Sequence, residues 1–350
     1  MKFNGSDSHS HRWAFILAGG DGKRLLPLTR RVAGDDRPKQ LCAVLGEETL
    51  LHQTQRRISR LVQSWRTVLV LTKTHEPFYA DEVAGIPSSR LLIQPSNQGT
   101  APAILYSVLR LCEIDPKGVV AVAFFPSDHH FSDDKAFIGN IESAYDAAAS
   151  RPEVVILLGI PPESPEVEYG WIEPGIPLGS HVPANIYRVS HFWEKPSATL
   201  AATLMERGCL WNSFVMVGHV QAFLDLMRNT LPPLVEAFES IRSSFFTAYE
   251  RRYCLSFTSV FAPPAFLGTS CQRSQMTSLC FAQPASAGAI WENRAVSSPC
   301  SSAKASRQTW GFRPSYGSRW VMLRKAVDRQ LEGATDRRRD RRDPNSNWKA

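Results

Sequence analysis

The 350-residue chain has no long hydrophobic run; its first apolar stretch, Trp13 to Ala18, is too short for a membrane span or a secretory signal core. A cytoplasmic protein with no membrane partner is therefore expected. The chain also lacks CxxC and any Cys/His ligand spacing, although it carries seven cysteines. Cys42, Cys112 and Cys209 are scattered, whereas Cys254, Cys271, Cys280 and Cys300 crowd one later stretch. That argues against a metal framework, and a disulfide set does not suit a cytoplasmic chain. A basic binding face is missing as well. Residues 311–350 hold eleven Lys/Arg against five Asp/Glu, so this tail supplies +6 of the +7 net charge. The rest of the chain is nearly neutral, and no nucleic-acid partner is expected.

What is present is a globular composition, 43% hydrophobic, in short apolar runs that alternate with helical patterns as far as about Tyr253. The pattern predicts strands at Trp13 to Ala18, Thr67 to Thr72, Val119 to Phe125 and Val154 to Gly159. It predicts helices at Leu50 to Val62, Pro102 to Cys112 and Asp134 to Ala149. Repeated strand-then-helix units imply an α/β fold with a doubly wound, mostly parallel sheet whose ligands lie at the carboxyl ends of the strands. Residues 1–10 read as a flexible N-terminus and 11–253 as the folded domain. From 254 to 350 the chain turns rich in Ser, Ala, Pro and Cys, shows neither periodicity, and ends in a charge run. That segment is expected to be aberrant and disordered.

After the first strand comes AGGDGKR. Its glycines let bare backbone N–H groups approach a polyanion, and Lys23, Arg24 and Lys39 supply charge for phosphate oxygens. It is neither of the two commoner phosphate motifs: Gly22-Lys23 is followed by Arg24 rather than Ser or Thr, and GxGxxG is absent. The plain alternative is a glycine-rich turn with solvated basic residues. Downstream, FFPSDHHF places Asp128 just past a buried strand, where an α/β enzyme holds Mg²⁺ against phosphates; an ordinary turn or helix cap is the alternative. His129 and His130, as adjacent side chains, point apart and have no matching second ligand.

In order, LAGGDGKRLLPLTR, PKQ, QPSNQGTAPAI, FPSDHHF, YGWIEPG, FWEKPS and WNSFVMVG resemble the signature segments of the sugar-1-phosphate nucleotidyltransferases, most closely bacterial mannose-1-phosphate guanylyltransferases. The resemblance covers about 240 residues. It implies the Rossmann-like, GT-A-like fold of the nucleotide-diphospho-sugar transferases, GTP and mannose 1-phosphate as partners, Mg²⁺ as cofactor, and GDP-mannose and pyrophosphate as products; a homodimer is compatible with it. Carried over by motif, Gly19, Gly20 and Gly22 would cradle the triphosphate, with Leu17, Gln94, Gly99, Thr100 and Ala101 on the nucleotide. Arg24 would meet the departing pyrophosphate, Lys39 would steady the reacting phosphates, and Asp128 would hold the metal. Gly170, Glu194, Lys195 and Asn212 would bind the sugar phosphate. Phe214 stands where the family usually has glycine, which puts the fit around the sugar in question. Trp13, Trp171, Trp193 and Trp211 are read as core or pocket wall.

The family should continue with DFSRxVL and then WxDxG, whose Asp is the second metal ligand; neither occurs here. Yet AGAIWENR, Ala287 to Arg294, can be encoded so that the neighbouring frame reads Trp-Ser-Asp-Leu-Gly-Glu-Pro. The single codons of Trp291 and Met276 leave part of that frame no freedom. The same register allows FSRDVL across Ala265 to Cys271, DDLAVL across Gln275 to Phe281 and RVLSVL across Ala295 to Ser301. A frameshift entering between about Tyr249 and Ala265 is the expectation. Its consequence would be a chain that holds Mg²⁺ poorly, so a nucleotide-binding relic, or a transferase for another sugar 1-phosphate, stands as the alternative.

Overall fold

The computed structural model describes residues 12–44, 46–115, 121–178 and 186–247, and the backbone of two short strands, Ser278–Ala282 and Ile290–Glu292. The N-terminal segment and the rest of 248–350, including the basic tail, Cys254, Cys271 and Cys300, lie outside the described residues. Strands run β1 (Arg12–Leu17), β2 (Thr67–Thr72), β3 (Leu91–Gln94), β4 (Ala121–Pro126), β5 (His129–Phe131), β6 (Val155–Ile160), β7 (Gly170–Pro177), β8 (Ile186–Glu194), β9 (Leu210–His219), β10 (Ser278–Ala282) and β11 (Ile290–Glu292). Helices are α1 (Leu26–Ala33), α2 (Leu50–Ile58), α3 (Glu76–Val83), α4 (Thr100–Ile114), α5 (Asp134–Ser150), α6 (Ala198–Glu206), α7 (Val220–Thr230) and α8 (Pro232–Ser240).

Nine strands form one sheet in the order β3-β2-β1-β4-β9-β6-β10-β8-β7. The pairings make β8 and β9 run against the other seven, so the sheet is mixed but mostly parallel, as expected. Strands β1, β2 and β4 are buried on both faces, which is why they read as continuous apolar runs. Phe15, Val70 and Phe124 join one core cluster with residues of α4, α7 and α8; Ile16, Leu71 and Phe125 join another with residues of α2, α3 and α5. This alternation is the period of two of a strand sandwiched between helical layers, and a one-residue slip would exchange the two faces. Fully burying a side chain such as Phe124 contributes roughly 1.5–3 kcal/mol.

The helix read at Leu50–Val62 stops at Ile58. Leu61 and Val62 are buried all the same, held by turn hydrogen bonds back to Ile58 O at 2.8 and 3.0 Å. Within 254–350, read as lacking strand periodicity, β10 pairs with β6 and β8, and β11 pairs with β5. Trp13 and Trp171 are core residues, 5% and 0% exposed. No described helix is long and apolar enough to cross a membrane.

Candidate active site

The order β3-β2-β1-β4 reverses direction between β1 and β4. At such a switch point the loops leaving the two carboxyl ends diverge and open a crevice. The glycine loop, residues 18–22, leaves β1 there, and Asp128 leaves β4.

Side chains from elsewhere in the chain hold the loop from behind. Gln40 Nε2 donates to Ala18 O (3.0 Å) and Gly20 O (2.7 Å), and Thr72 Oγ1 donates to Gly19 O (2.9 Å). His75 Nε2 lies 3.3 Å from Asp21 Oδ1. The carbonyls of Gly19, Gly20 and Gly22 are engaged, while Gly19 to Gly22 donate no backbone hydrogen bond among the described residues. Consecutive free N–H groups at the end of a strand are an anion nest. Glycine is required at two points. A Cβ on Gly19 would sit 2.6 Å from Thr72 Oγ1 and 3.2 Å from Gln94 Nε2; Gly22 has φ +60, with Lys39 N 3.3 Å from its would-be Cβ. Gln94 thus abuts the loop, while Gly99, at φ 87, starts α4 with Thr100 and Ala101 in its first turn.

Lys39 and Asp128 meet across the crevice, Nζ to Oδ2 2.5 Å, with side chains only 14% and 18% exposed. Burial works against the Asp128 charge, but the Lys39 ammonium, and after it His129, hold its carboxyl below the usual carboxylate range. His129 Nε2 is 3.7 Å from Asp128 Oδ1. Among the described residues no group of three or more His, Cys, Asp or Glu is placed to hold a metal.

Of the residues expected on the sugar side, Gly170, Glu194 and Asn212 converge. Gly170 pairs with Glu194 across β7 and β8, and a Cβ on Gly170 would lie 3.3 Å from Glu194 Oε2 and 3.5 Å from Asn212 Cβ. Asn212 Oδ1 accepts from Phe214 N (3.1 Å), while its buried Nδ2 has no partner among the described residues. A buried amide donor left open is what a ligand hydroxyl would satisfy. Burial raises the Glu194 pKa, with Lys195 opposing. Lys195 and Phe214 both adopt positive φ, 47° and 56°. Phe214 therefore keeps a backbone shape that favours glycine, and its ring packs against the core.

One ion pair links the two halves: Arg24, exposed beside the glycine loop, contacts Glu168, two residues before Gly170. Glu166 fixes that turn by accepting from Val167 N (3.0 Å) and Glu168 N (3.2 Å), and its carbonyl accepts from Trp171 Nε1 (2.8 Å). Sequence reasoning missed Thr72, His75 and Glu168. Gln40 lay inside the PKQ segment without a role. LTKTHEP reads only as a strand running into a turn, so nothing local marks Thr72 or His75 as loop holders.

The glycine loop, the Lys39–Asp128 pair and the Gly170–Glu194–Asn212 cluster thus sit on an α/β sheet of the nucleotide-sugar transferase type, the first two at its switch point. The nucleotidyl transferase family model matches residues 13–244, and the chain belongs to that family. It is 31% identical over 238 residues to mannose-1-phosphate guanylyltransferase 2 of Escherichia coli O157:H7, covering 66% of this chain and 48% of that protein. It is 32% identical over 226 residues to a mannose-1-phosphate guanylyltransferase of Sinorhizobium fredii, 63% of this chain and 42% of the relative. The chain thus spans about half the length of the curated relatives it matches. Among solved structures, a protein described as mannose-1-phosphate geranyltransferase from Thermus thermophilus superposes with TM-score 0.66 at 28% identity, covering 81% of this chain and 76% of that one.

Proposed function

We propose that the chain is built to transfer a guanylyl group from GTP to mannose 1-phosphate, giving GDP-mannose and pyrophosphate. The observation that carries the reading is the glycine loop, Gly19 to Gly22, which abuts Lys39 of the Lys39–Asp128 pair and is tied through Arg24 and Glu168 to the Gly170, Glu194 and Asn212 cluster. Named relatives that act on mannose 1-phosphate favour this sugar and base over others in the family. An oxygen of the sugar 1-phosphate attacks the α-phosphorus, the bond to the bridging oxygen breaks, and pyrophosphate leaves with the electron pair. No protein nucleophile is needed, so the protein's part is positioning and charge neutralisation. The nest N–H groups bind the triphosphate, Lys39 neutralises the reacting phosphates, and Arg24 meets the leaving pyrophosphate. Glu194 and Asn212 read sugar hydroxyls, and Lys195 takes the sugar's phosphate. A single carboxylate suits Mg²⁺ arriving with the nucleotide rather than a resident ion, since Mg²⁺ is commonly held by one or two carboxylates plus substrate phosphates. Asp128 is the residue that would hold it, and when bound it supplies positive charge at the phosphates. Pyrophosphate release with GTP and mannose 1-phosphate, set against ATP, UTP and glucose 1-phosphate, tests the assignment; equal rates with all of them would refute it.

Two further results are expected. Glu168 competes with a polyphosphate for Arg24, so Glu168→Gln should tighten GTP binding about two- to fivefold at low salt, and the gain should fade as salt screens the pair. Titrations at two ionic strengths check it. Lys195 is exposed, strained by its positive φ, and followed by Pro196, which disfavours most alternatives to extended backbone. Lys195→Gly should hold or raise thermal stability, by roughly 0.5 kcal/mol after the glycine's own entropy cost. It should also raise KM for mannose 1-phosphate about tenfold or more. Melting curves and steady-state kinetics on one preparation separate the two effects.

A second reading concerns the stretch after the matched region. The backbone of β11 runs antiparallel to β5, with Ile290 opposite Phe131 and Glu292 opposite His129. Ile290–Glu292, the described part of the stretch whose neighbouring frame spells Trp-Ser-Asp-Leu-Gly, therefore adjoins the strand that follows Asp128. This supports the proposal that 254–350 is encoded out of frame and that the second carboxylate belongs at this place. DNA sequence between the codons of Glu250 and Thr309 decides it; an open frame without those words overturns it.

A further inference from the structure

The glycine loop carries an acid, Asp21, where a polyphosphate is to bind. Left free, that carboxylate would repel the ligand and could accept hydrogen bonds from the N–H groups meant for phosphate. Two groups restrain it: His75 Nε2 at 3.3 Å and Lys23 Nζ at 3.7 Å. The Lys23 side chain is 81% exposed and so holds weakly, whereas the His75 side chain is only 10% exposed and is fixed at the end of β2. Three residues earlier in the same turn, Thr72 holds Gly19 O.

The state of the imidazole follows from its surroundings. Its Nδ1 is buried with no hydrogen-bond partner among the described residues. A second proton would bury an unpaired N–H, and burial lowers the His75 pKa below its ordinary value even against the pull of Asp21. At neutral pH the ring is therefore uncharged, with its one N–H on Nε2, towards Asp21. It orients the carboxylate without adding a charge of its own, leaving Lys39 and Arg24 as the cations for phosphate.

We propose that His75 is a positioning residue of the phosphate loop: by donating from Nε2 to Asp21 it draws that carboxylate aside, so that Gly19 to Gly22 can receive a polyphosphate. The inference rests on the triphosphate reading of the loop but not on the identity of base or sugar. Calorimetric titration of the full chain with sodium tripolyphosphate, and separately with GTP, tests it. His75→Ala should weaken both ligands about tenfold. His75→Gln, which retains an N–H donor, should keep most of the affinity, and Asp21→Asn should bind at least as well as the wild type. In the double variant, His75→Ala with Asp21→Asn, affinity should return to the level of Asp21→Asn alone, a rescue that a purely structural histidine would not give. If His75→Ala fails to fold, His75→Met fills the volume without a donor and takes its place. A double variant as weak as the histidine variant, or a histidine variant equal to wild type, overturns the inference while leaving the loop's function standing. A wild-type chain that binds neither ligand overturns the triphosphate reading itself, and this inference with it.

Discussion

Asp128→Ala is expected to lower pyrophosphate release from GTP and mannose 1-phosphate by about a thousandfold or more, the scale on which removing one preorganised charge at a reacting phosphate acts. The same change should be made in a frame-restored chain, where it should cost as much. Two causes combine. The carboxylate is the group that would hold Mg²⁺ against the nucleotide's phosphates, and it also fixes Lys39, at 2.5 Å. Without it an ammonium that is 14% exposed loses its Asp128 ion pair, and the fold should lose about 1–3 kcal/mol, below the usual figure for a broken buried pair because both side chains reach some solvent. Kinetics and melting should therefore fall together. Asp128→Asn separates the causes, because the amide keeps the volume and part of the hydrogen bonding while it loses the charge.

Lys39→Met should act in opposite directions on two observables. Turnover should fall about a hundredfold or more, because the ammonium proposed to neutralise the reacting phosphates is gone. Binding of a divalent cation should instead become tighter, since Lys39 and the cation compete for the same Asp128 oxygens. Direct titration with Mn²⁺ in the absence of nucleotide reads the second effect independently of activity. A loss of both, or no change in either, contradicts the placement of Lys39 as the charge that occupies Asp128 before nucleotide arrives.

The parts of the fold legible in the sequence were those whose signal is local. The β2 segment TVLVLT is rich in β-branched residues and buried on both faces, and its predicted bounds coincide with the observed Thr67–Thr72. Helix α5 starts where Asp133 caps it by accepting from Ala136 N at 2.9 Å, and the predicted start at Asp134 agrees. Strands β7 to β9 had no comparable signal. GWIEPGIP carries two prolines and two glycines, and β9 owes its place to antiparallel pairing with both β4 and β6, a long-range arrangement. Helix α2 was overextended because Ile58, Leu61 and Val62 keep a helical spacing of buried residues after the helix has ended.

The candidate site divides in the same way. Glycines followed by basic residues after a strand marked the loop as a phosphate candidate, and motif order brought in Lys39, Asp128 and the candidate sugar-side residues. Their holders were not readable. Thr72 reaches Gly19 across 53 residues, and Glu168 reaches Arg24 across 144, so only the folded sheet brings each pair together.

The most direct test of the account is pyrophosphate release by the chain as written and by its frame-restored form, each with and without Asp128→Ala. The account predicts release that needs both GTP and mannose 1-phosphate, is greater in the restored chain, and is lost in both Asp128→Ala variants. Release that persists unchanged after Asp128→Ala, or no release from either parent chain, would contradict it.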